Sequence, residues 1–466
     1  MQALTTQVTR LAPTFTAVSD AIWATPELCY AEHRSVAAQI DALAAQGFAI
    51  TRNIAGLDTA FTADWGTDGP VIAFLGEFDA LPGLSQQAGL AKPLAVEDGG
   101  NGHGCGHNLL GAASMLAASA LAARLRDTGI AARVRYYGCP AEEGGWGKVR
   151  MVAAGAFDDA QVGIGWHPGT YNAVRARATL AVANRRYRFT GRAAHAAMSP
   201  HLGRSALDAV ELMNVGANYL REHMPQEARL HYAATDAGGS APNVVQARAE
   251  SLYMIRAPEL DDLHALIARV DDVARGAALM TGTQVEIIGE GGAANVLPNA
   301  ALCAVMHQAM LALGTLNFAR DELAFAQAIR DSLGDTAAAD RRAQTEGDAL
   351  LPQGHGRLPL HSGLRCFSGR IEQGTGSTDV GDVSWQIPVV EAALATWAVG
   401  TPSHTWQAVA QGRSSAAHRA MIRAANVMAH TALTLIQQPG AIAQAQDELA
   451  RRRGGRPYVP VLPDAA

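Results

Sequence analysis

The sequence predicts an α/β protein: a mixed, mostly parallel sheet with helices on both faces, interrupted by a smaller ferredoxin-like α+β domain. Two observations predict the sheet. Short apolar runs recur at 71–75, 134–138 and 162–166, the mark of buried strands. Helical stretches alternate with them, and strand–helix–strand repetition builds parallel strands under a helical cover. A third observation predicts the insertion. From about residue 183 the order becomes β-α-β-β-α-β, the ferredoxin-like pattern.

Taken in order, 14–24 and 33–47 read as helices. The run 71–75 is framed by Gly69-Pro70 and Gly76, which suits a strand. Segment 109–126 is apolar nearly all round, as a buried helix is. In the inserted domain, 183–296, residues 186–190 alternate like a strand and 205–222 form an amphipathic helix opened by Ser205. Strands follow at 230–235 and 244–255, a second helix at 260–280, and a closing strand at 284–288. The first domain therefore comprises 1–182 and 297–466, ending in a core strand at 392–399 and a long helix at 415–436. Between them 334–376, with weak periodicity, is expected as a long surface excursion or partly mobile loop. No internal repeat of fixed period is evident.

Composition limits the function. The 466 residues are 48% hydrophobic and 17% charged, enough for a large core and two to three domains at ~100–200 residues each. A net charge of −6 leaves no cationic excess for nucleic acid. Arg451, Arg452 and Arg453 are expected in a solvated tail. No apolar run reaches the ~18 residues of a membrane span, and the start lacks a basic region followed by an apolar one. Five scattered cysteines suit a reducing cytoplasm better than a disulfide framework.

The densest chemical cluster is Asn101-Gly-His-Gly-Cys-Gly-His-Asn108. A glycine-rich loop lets Cys105 and His107 aim at one point, and thiolate with imidazole suits zinc, while imidazole also suits manganese or iron. A dinucleotide loop fails on spacing, because the sixth position of G-x-G-x-x-G falls on His107 or Leu109. A purely structural glycine turn stays open. The second cluster, Cys139-Pro-Ala-Glu142-Glu143-Gly-Gly145, follows a predicted strand at the sheet end where sites form. There one carboxylate can hold a metal while its neighbour takes a proton from water. His167, His404 and Asp79 follow other predicted strands. Each alone reads as an ordinary residue, but four strand ends would deliver metal-type side chains to one rim.

The ordered motifs GEFDALPGLSQQAG, NGHGCGHNLLG, GCPAEEGGWGK, WHP, AAHAAMSPHLGRSALDA, PNVVQA, MIRAP, STDVGDVSW and GTPSHTW cover nearly the whole chain. Together they resemble the aminoacylase/carboxypeptidase superfamily of co-catalytic metallopeptidases, in its amidohydrolase branch. The resemblance implies a zinc-peptidase-like catalytic domain with two divalent ions, Zn or Mn, held by Cys105, His107, Glu143, His167 and His404. It implies Glu142 as the general base and Asp79 as an acid that orients the cluster from behind the ligands. It makes the inserted domain a lid and dimerisation domain, whose His195 polarises the scissile carbonyl in the partner subunit's site. Asn243 and Arg256 match substrate contacts, Arg256 suiting a free carboxylate; without the resemblance they read as a turn residue and a surface ion pair. The implied substrate is a small N-acyl amino acid, p-aminobenzoyl-glutamate first, with a dipeptide as the alternative. The implied assembly is a homodimer, or a heterodimer in which the chain is a helper needing a homologous subunit. The sequence departs from many relatives at Asn108, where they carry Asp.

Overall fold

The computed structural model describes residues 2–334, 348–350 and 358–464. In chain order its main elements begin with α1 (Gln2–Trp23), α2 (His33–Ala45), β1 (Ala49–Arg52), β2 (Phe61–Trp65), β3 (Val71–Glu77), α3 (His107–Thr128), β4 (Arg133–Cys139), α4 (Gly147–Ala153), β5 (Val162–Gly169) and β6 (Ala173–Val174). Next come β7 (Ala181–Thr190), α5 (Ala206–Leu220), β8 (Arg229–Asp236), β9 (Arg248–Ala257), α6 (Leu260–Thr281) and β10 (Gln284–Ala293). The chain continues with α7 (Ala300–Leu313), α8 (Arg320–Asp331), β11 (Val389–Ala395), α9 (Trp406–Gln411), α10 (Ser415–Gln437) and α11 (Pro439–Arg453).

The chain divides into two compact units. The first comprises Met1–Arg177, Leu297–Glu372 and Val383–Pro457. It holds a seven-stranded sheet in the order β1-β2-β4-β3-β5-β11-β6. The four central strands run parallel, and the outer strands β1, β2 and β6 pair antiparallel. Every residue of β3 is buried, as a central parallel strand covered by other layers requires. Helix α3 packs on β3, β4 and β5, and α10 on β5 and β11. Each Phe or Leu buried there, such as Phe74 or Leu121 at 0% exposure, contributes roughly 1.5–3 kcal/mol. Helix α3 is long and apolar enough to cross a membrane, but most of it is buried in this core.

The second unit comprises Ala178–Val296, Gln373–Asp382 and Tyr458–Ala466. Its antiparallel sheet has the order β10-β7-β9-β8, the ferredoxin-like arrangement, with α5 and α6 packed on it. Strand β9 alternates between buried and less buried residues, as a sheet with one covered face does. Helix α5 begins where Ser205 Oγ accepts the Asp208 N–H at 3.0 Å, a cap whose loss costs about 1 kcal/mol.

Several expectations are corrected. Helix α1 starts at Gln2, not 14, and runs through Pro13. Leu4, Val8, Leu11, Phe15, Ser19 and Ile22 form one buried stripe, and its packing outweighs the lost N–H and the ring clash of the proline. Strands β1 and β2 were not foreseen. The last core strand ends at Ala395, so His404 stands on a loop rather than directly after a strand. Arg451, Arg452 and Arg453 are the last turn of α11, not a tail, and favourably placed against the helix dipole. The second unit begins at Ala178, not 183, and recruits two further segments. Of the expected excursion at 334–376, 335–347 and 351–357 lie outside the described residues. The described part around Leu360 and Ser362 is buried, each 1% exposed, because Asn172 Nδ2 donates to the carbonyls of His361 at 2.8 Å and Gly363 at 2.9 Å.

Candidate metal centre

The first unit brings Cys105, His107, Glu142, Glu143, His167 and His404 together. Cys105 precedes α3, whose N-cap Gly106 is left-handed at φ 75°. A Cβ there would stand 2.9 Å from Pro168 Cγ, so only glycine fits. His107 opens α3. Glu142 and Glu143 lie on the turn after β4, and His167 near the end of β5. His404 has the unusual φ of 60°, and its N–H donates to the Gly104 carbonyl at 3.0 Å. That bond staples the His404 loop to the cysteine loop.

Three sets of potential ligands emerge among the described residues. Cys105, His107 and His167 form one, and Cys105, Glu143 and His404 a second that shares the thiol; Glu77, His107 and Glu142 form a third. Cys105 Sγ lies 3.4 Å from His167 Nε2, and His404 Nε2 lies 3.3 Å from Glu143 Oε1. Two donors on one tetrahedral zinc stand roughly 3.3–3.6 Å apart, given bonds of about 2.0–2.3 Å. The spacings fit ion sites that Cys105 could serve in common.

The surroundings orient these donors. Asp79 divides its oxygens: Oδ1 accepts from His107 Nδ1 at 2.8 Å and Oδ2 from the Glu143 N–H at 2.8 Å. The first bond fixes the His107 tautomer and frees Nε2 as a ligand. His167 Nδ1 donates to the Pro168 carbonyl at 2.7 Å, leaving its Nε2 toward Cys105. His107 Nε2 and Glu143 Oε1 are buried and face charged neighbours, Glu77 Oε2 at 3.2 Å and His404 Nε2 at 3.3 Å, so both point into the cluster.

The charges agree. Burial opposes ionisation of Cys105, yet His167 and His107 hold its thiol well below the usual range. Burial would lower His107, but Asp79 and Cys105 push it well above its ordinary value. Hydrogen bonds to Cys105 and Glu143 push His404 up to about 10. The thiolate and carboxylates attract positive charge, and divalent cations answer that demand better than protons. The donor set therefore fits two ions.

Glu142 Oε2 stands 3.9 Å from His107 Nε2, at the edge of the cluster. Sequence reasoning missed Glu77 and Lys148. Glu77 Oε2 is 3.2 Å from His107 Nε2 and Oε1 is 2.6 Å from Lys148 Nζ, with Lys148 fully buried. Burial opposes it, but Lys148 and His107 draw the Glu77 carboxyl down to about 2. The only signal was the closeness of Glu77 to Asp79, with Glu77 the last residue of β3. Asn108 does not face the cluster. Its Nδ2 donates to Ser19 Oγ at 3.1 Å and to the Gly412 carbonyl at 3.2 Å, bonds that an amide can make and an ionised carboxylate cannot.

The remaining expected site residues belong to the second unit. His195 and Asn243 lie on two segments that pair there, with the Ala196 N–H donating to the Asn243 carbonyl at 2.9 Å. Both side chains are exposed. His195 Nδ1 accepts the N–H groups of Ala197 and Met198, each at 3.3 Å, so its Nε2 carries the proton and can donate. Arg256, on β9, donates from Nη1 to Ser377 Oγ at 2.7 Å.

Candidate ligand sets that share Cys105, with the Glu142 carboxylate beside them on a sheet of this topology, fit a metal-dependent hydrolase. The family comparison agrees: residues 73–329 match the model of Peptidase family M20/M25/M40, and the chain belongs to that family. It is 46% identical to a subunit of p-aminobenzoyl-glutamate hydrolase of Escherichia coli (strain K12), over 95% of this chain and 93% of that protein. It is 31% identical to Xaa-Arg dipeptidase of Mus musculus, over 93% of this chain and 88% of that protein. Its fold is shared with the aminobenzoyl-glutamate utilization protein from Klebsiella pneumoniae, at TM-score 0.56 and 19% identity, over 89% of this chain and 96% of that one.

Proposed function

We propose that the chain hydrolyses the amide bond of p-aminobenzoyl-glutamate, adding water across the C–N bond to release p-aminobenzoate and glutamate. The observation that carries this reading is Glu142 standing beside two ligand sets joined through Cys105. The resemblance to the E. coli hydrolase supplies the substrate.

Cys105, His107 and His167 would hold one ion, and Cys105, Glu143 and His404 the other. Such ions, Zn or Mn, supply Lewis acidity and bring the pKa of a water toward neutrality. Glu142 takes the proton of that water as the oxygen attacks the amide carbon, then returns it to the leaving nitrogen. His195 would donate from Nε2 to the carbonyl oxygen in the partner subunit's site as negative charge grows there. Arg256 would grip a substrate carboxylate through its planar fork, and Asn243 would be a further substrate contact. Asp79 keeps His107 and the Glu143 backbone in register.

Two further readings accompany this one. Leu212, Val215 and Tyr219 are exposed on α5, and Leu279 and Met280 at the end of α6. Such an apolar stripe suits a contact surface, and we assign it to a homodimer or to pairing with a homologous subunit, as the name of the E. coli relative suggests. All five cysteines are free, which suits a reducing cytoplasm.

The test uses purified chain loaded with Mn or Zn, following p-aminobenzoate release. Glu142→Ala should keep its metal and lose turnover about 10²–10⁴-fold, the usual contribution of a general base. Near-normal turnover in that variant would remove Glu142 from the role. Faster cleavage of an Xaa-Arg dipeptide by the intact chain would transfer the assignment to dipeptides.

A further inference from the structure

We propose that Glu32, between α1 and α2, is a positioning residue for the turn that carries Glu142 and Glu143. The inference rests on the roles given to those two residues above.

The turn has one internal restraint, the Gly145 N–H donating to the Ala141 carbonyl at 3.0 Å, and several features that work against its shape. Ala141 and Trp146 both have φ 59°, a region that side chains with a Cβ disfavour. Gly144, Gly145 and Gly147 add freedom rather than restraint. Its shape is imposed from outside. Glu32 Oε1 accepts the Ala141 N–H at 2.9 Å, with Glu32 and Ala141 both fully buried. Tyr30 donates its hydroxyl to the Gly145 carbonyl. Asp79 holds the Glu143 N–H.

The same short segment, 22–32, also supports the other two loops of the centre. The Ala80 N–H donates to the Glu27 carbonyl at 2.8 Å, beside Asp79. Asn101 Nδ2 donates to the Pro26 carbonyl at 3.1 Å, and His103 Nε2 to the Ile22 carbonyl at 3.1 Å, just before Cys105. Glu27 in turn fixes the segment to α2 by accepting the N–H groups of Arg34 at 3.0 Å and Ser35 at 2.8 Å. None of these residues touches the ligand atoms, yet three loops hang on them.

Glu32 is the member whose loss leaves a buried backbone donor without an acceptor. The turn would relax, and an ångström-scale drift of a carboxylate is enough to slow a reaction about 100-fold. Burial, helped by Asp79, pushes the Glu32 carboxyl up to about 7. What the turn receives from Oε1 is one acceptor for the Ala141 N–H, and glutamine offers the same oxygen.

The test compares Glu32→Ala with Glu32→Gln in the full chain. For Glu32→Ala, kcat on p-aminobenzoyl-glutamate should fall roughly 10–100-fold with KM within about twofold. Its manganese dissociation constant, read by chelator competition, should rise roughly 10–100-fold. Glu32→Gln should recover both to within about threefold of the unaltered chain, since it keeps the acceptor. Unchanged kcat and manganese affinity in Glu32→Ala overturn the proposal, as does equal damage by Glu32→Gln. If Glu32→Ala does not fold, Tyr30→Phe decides. It removes one hydroxyl from a half-buried ring, and should lower kcat or manganese affinity without moving Tm; no change in either overturns the proposal. An unaltered chain that binds manganese but never cleaves this substrate sinks the substrate reading instead, while the manganese affinities of the variants still test Glu32.

Discussion

The two units present their functional residues in opposite ways. In the first, His107 and Asp79 are 0% and 1% exposed, and the His107 and His167 rings are held by the Asp79 carboxylate and the Pro168 carbonyl, while His404 is exposed. In the second, His195 and Asn243 are exposed and held mainly through their backbones. Two ion pairs show the two extremes. Glu77–Lys148 is sealed in the first unit. Arg188 of the second spans Glu250 at 3.1 Å and Glu286 at 2.8 Å on a solvated strand face. A buried pair is strongly coupled to the fold because neither charge has water as an alternative; a solvated pair is not. The first unit is built for fixed geometry and the second for adaptable contact.

Substitutions can break or sharpen that contrast. Cys105→Ser should have the largest effect, because it weakens both ligand sets at once. Metal analysis should find both ions depleted, and turnover should fall by about 10³-fold or more, beyond the 10–100-fold typical of a supporting partner. Retention of one tightly held ion would mean that the thiolate does not bridge. Lys148→Met should come next. Leaving Glu77 buried and uncompensated costs about 3–5 kcal/mol, readable by urea denaturation. Arg275→Ala, which breaks an exposed pair with Asp272 in the second unit, should leave the midpoint unmoved. Equal losses would erase the contrast.

His195→Ala should lower kcat about 10²-fold, the low end for removal of one oxyanion donor, while metal content stays at the unaltered level. Lost metal would place His195 among the ligands. The smallest effect concerns pH. Burial pushes Asp382, in the second unit, up to about 7 against hydrogen bonds from Tyr458 and Ala294. Its folded pKa is raised, so the folded state prefers the protonated carboxyl. That preference is full below about pH 4 and is lost as pH rises through 7. Asp382→Asn should flatten the fall in stability between pH 4 and 7, a change of about 1–2 kcal/mol when one pKa unit is 1.36 kcal/mol and solvent relaxation is allowed for. An unchanged slope would assign it to other groups.

The sequence revealed what local spacing encodes and concealed what distant contacts create. Cys105, His107, Glu142, Glu143 and His167 could be singled out because glycine turns or strand ends adjoin them. Three of the four central strands, 71–77, 133–139 and 162–169, are visible as apolar runs for the same reason. The first half of α1 was hidden by Pro13, whose local penalty is outweighed only by packing of its stripe. Glu77 and Lys148 are 71 positions apart, and nothing in either neighbourhood announces that they meet. Glu32 likewise reads as an ordinary acid before a helix until its carboxyl is seen under Ala141.

The composition of the second unit has a consequence for its autonomy. The Ala294 N–H donates to Asp382 at 3.0 Å and the Gly289 N–H to Asp464 at 2.6 Å, while Tyr458 donates to Asp382 at 2.8 Å. A fragment cut at 178–296 would contain the whole four-stranded sheet and both its helices, yet would leave those amides without acceptors. The unit is an insertion in sequence but not a module that can be transplanted. Moving it to another protein would require three pieces of chain, and trimming residues 458–464 would be felt at β10, some 170 positions upstream.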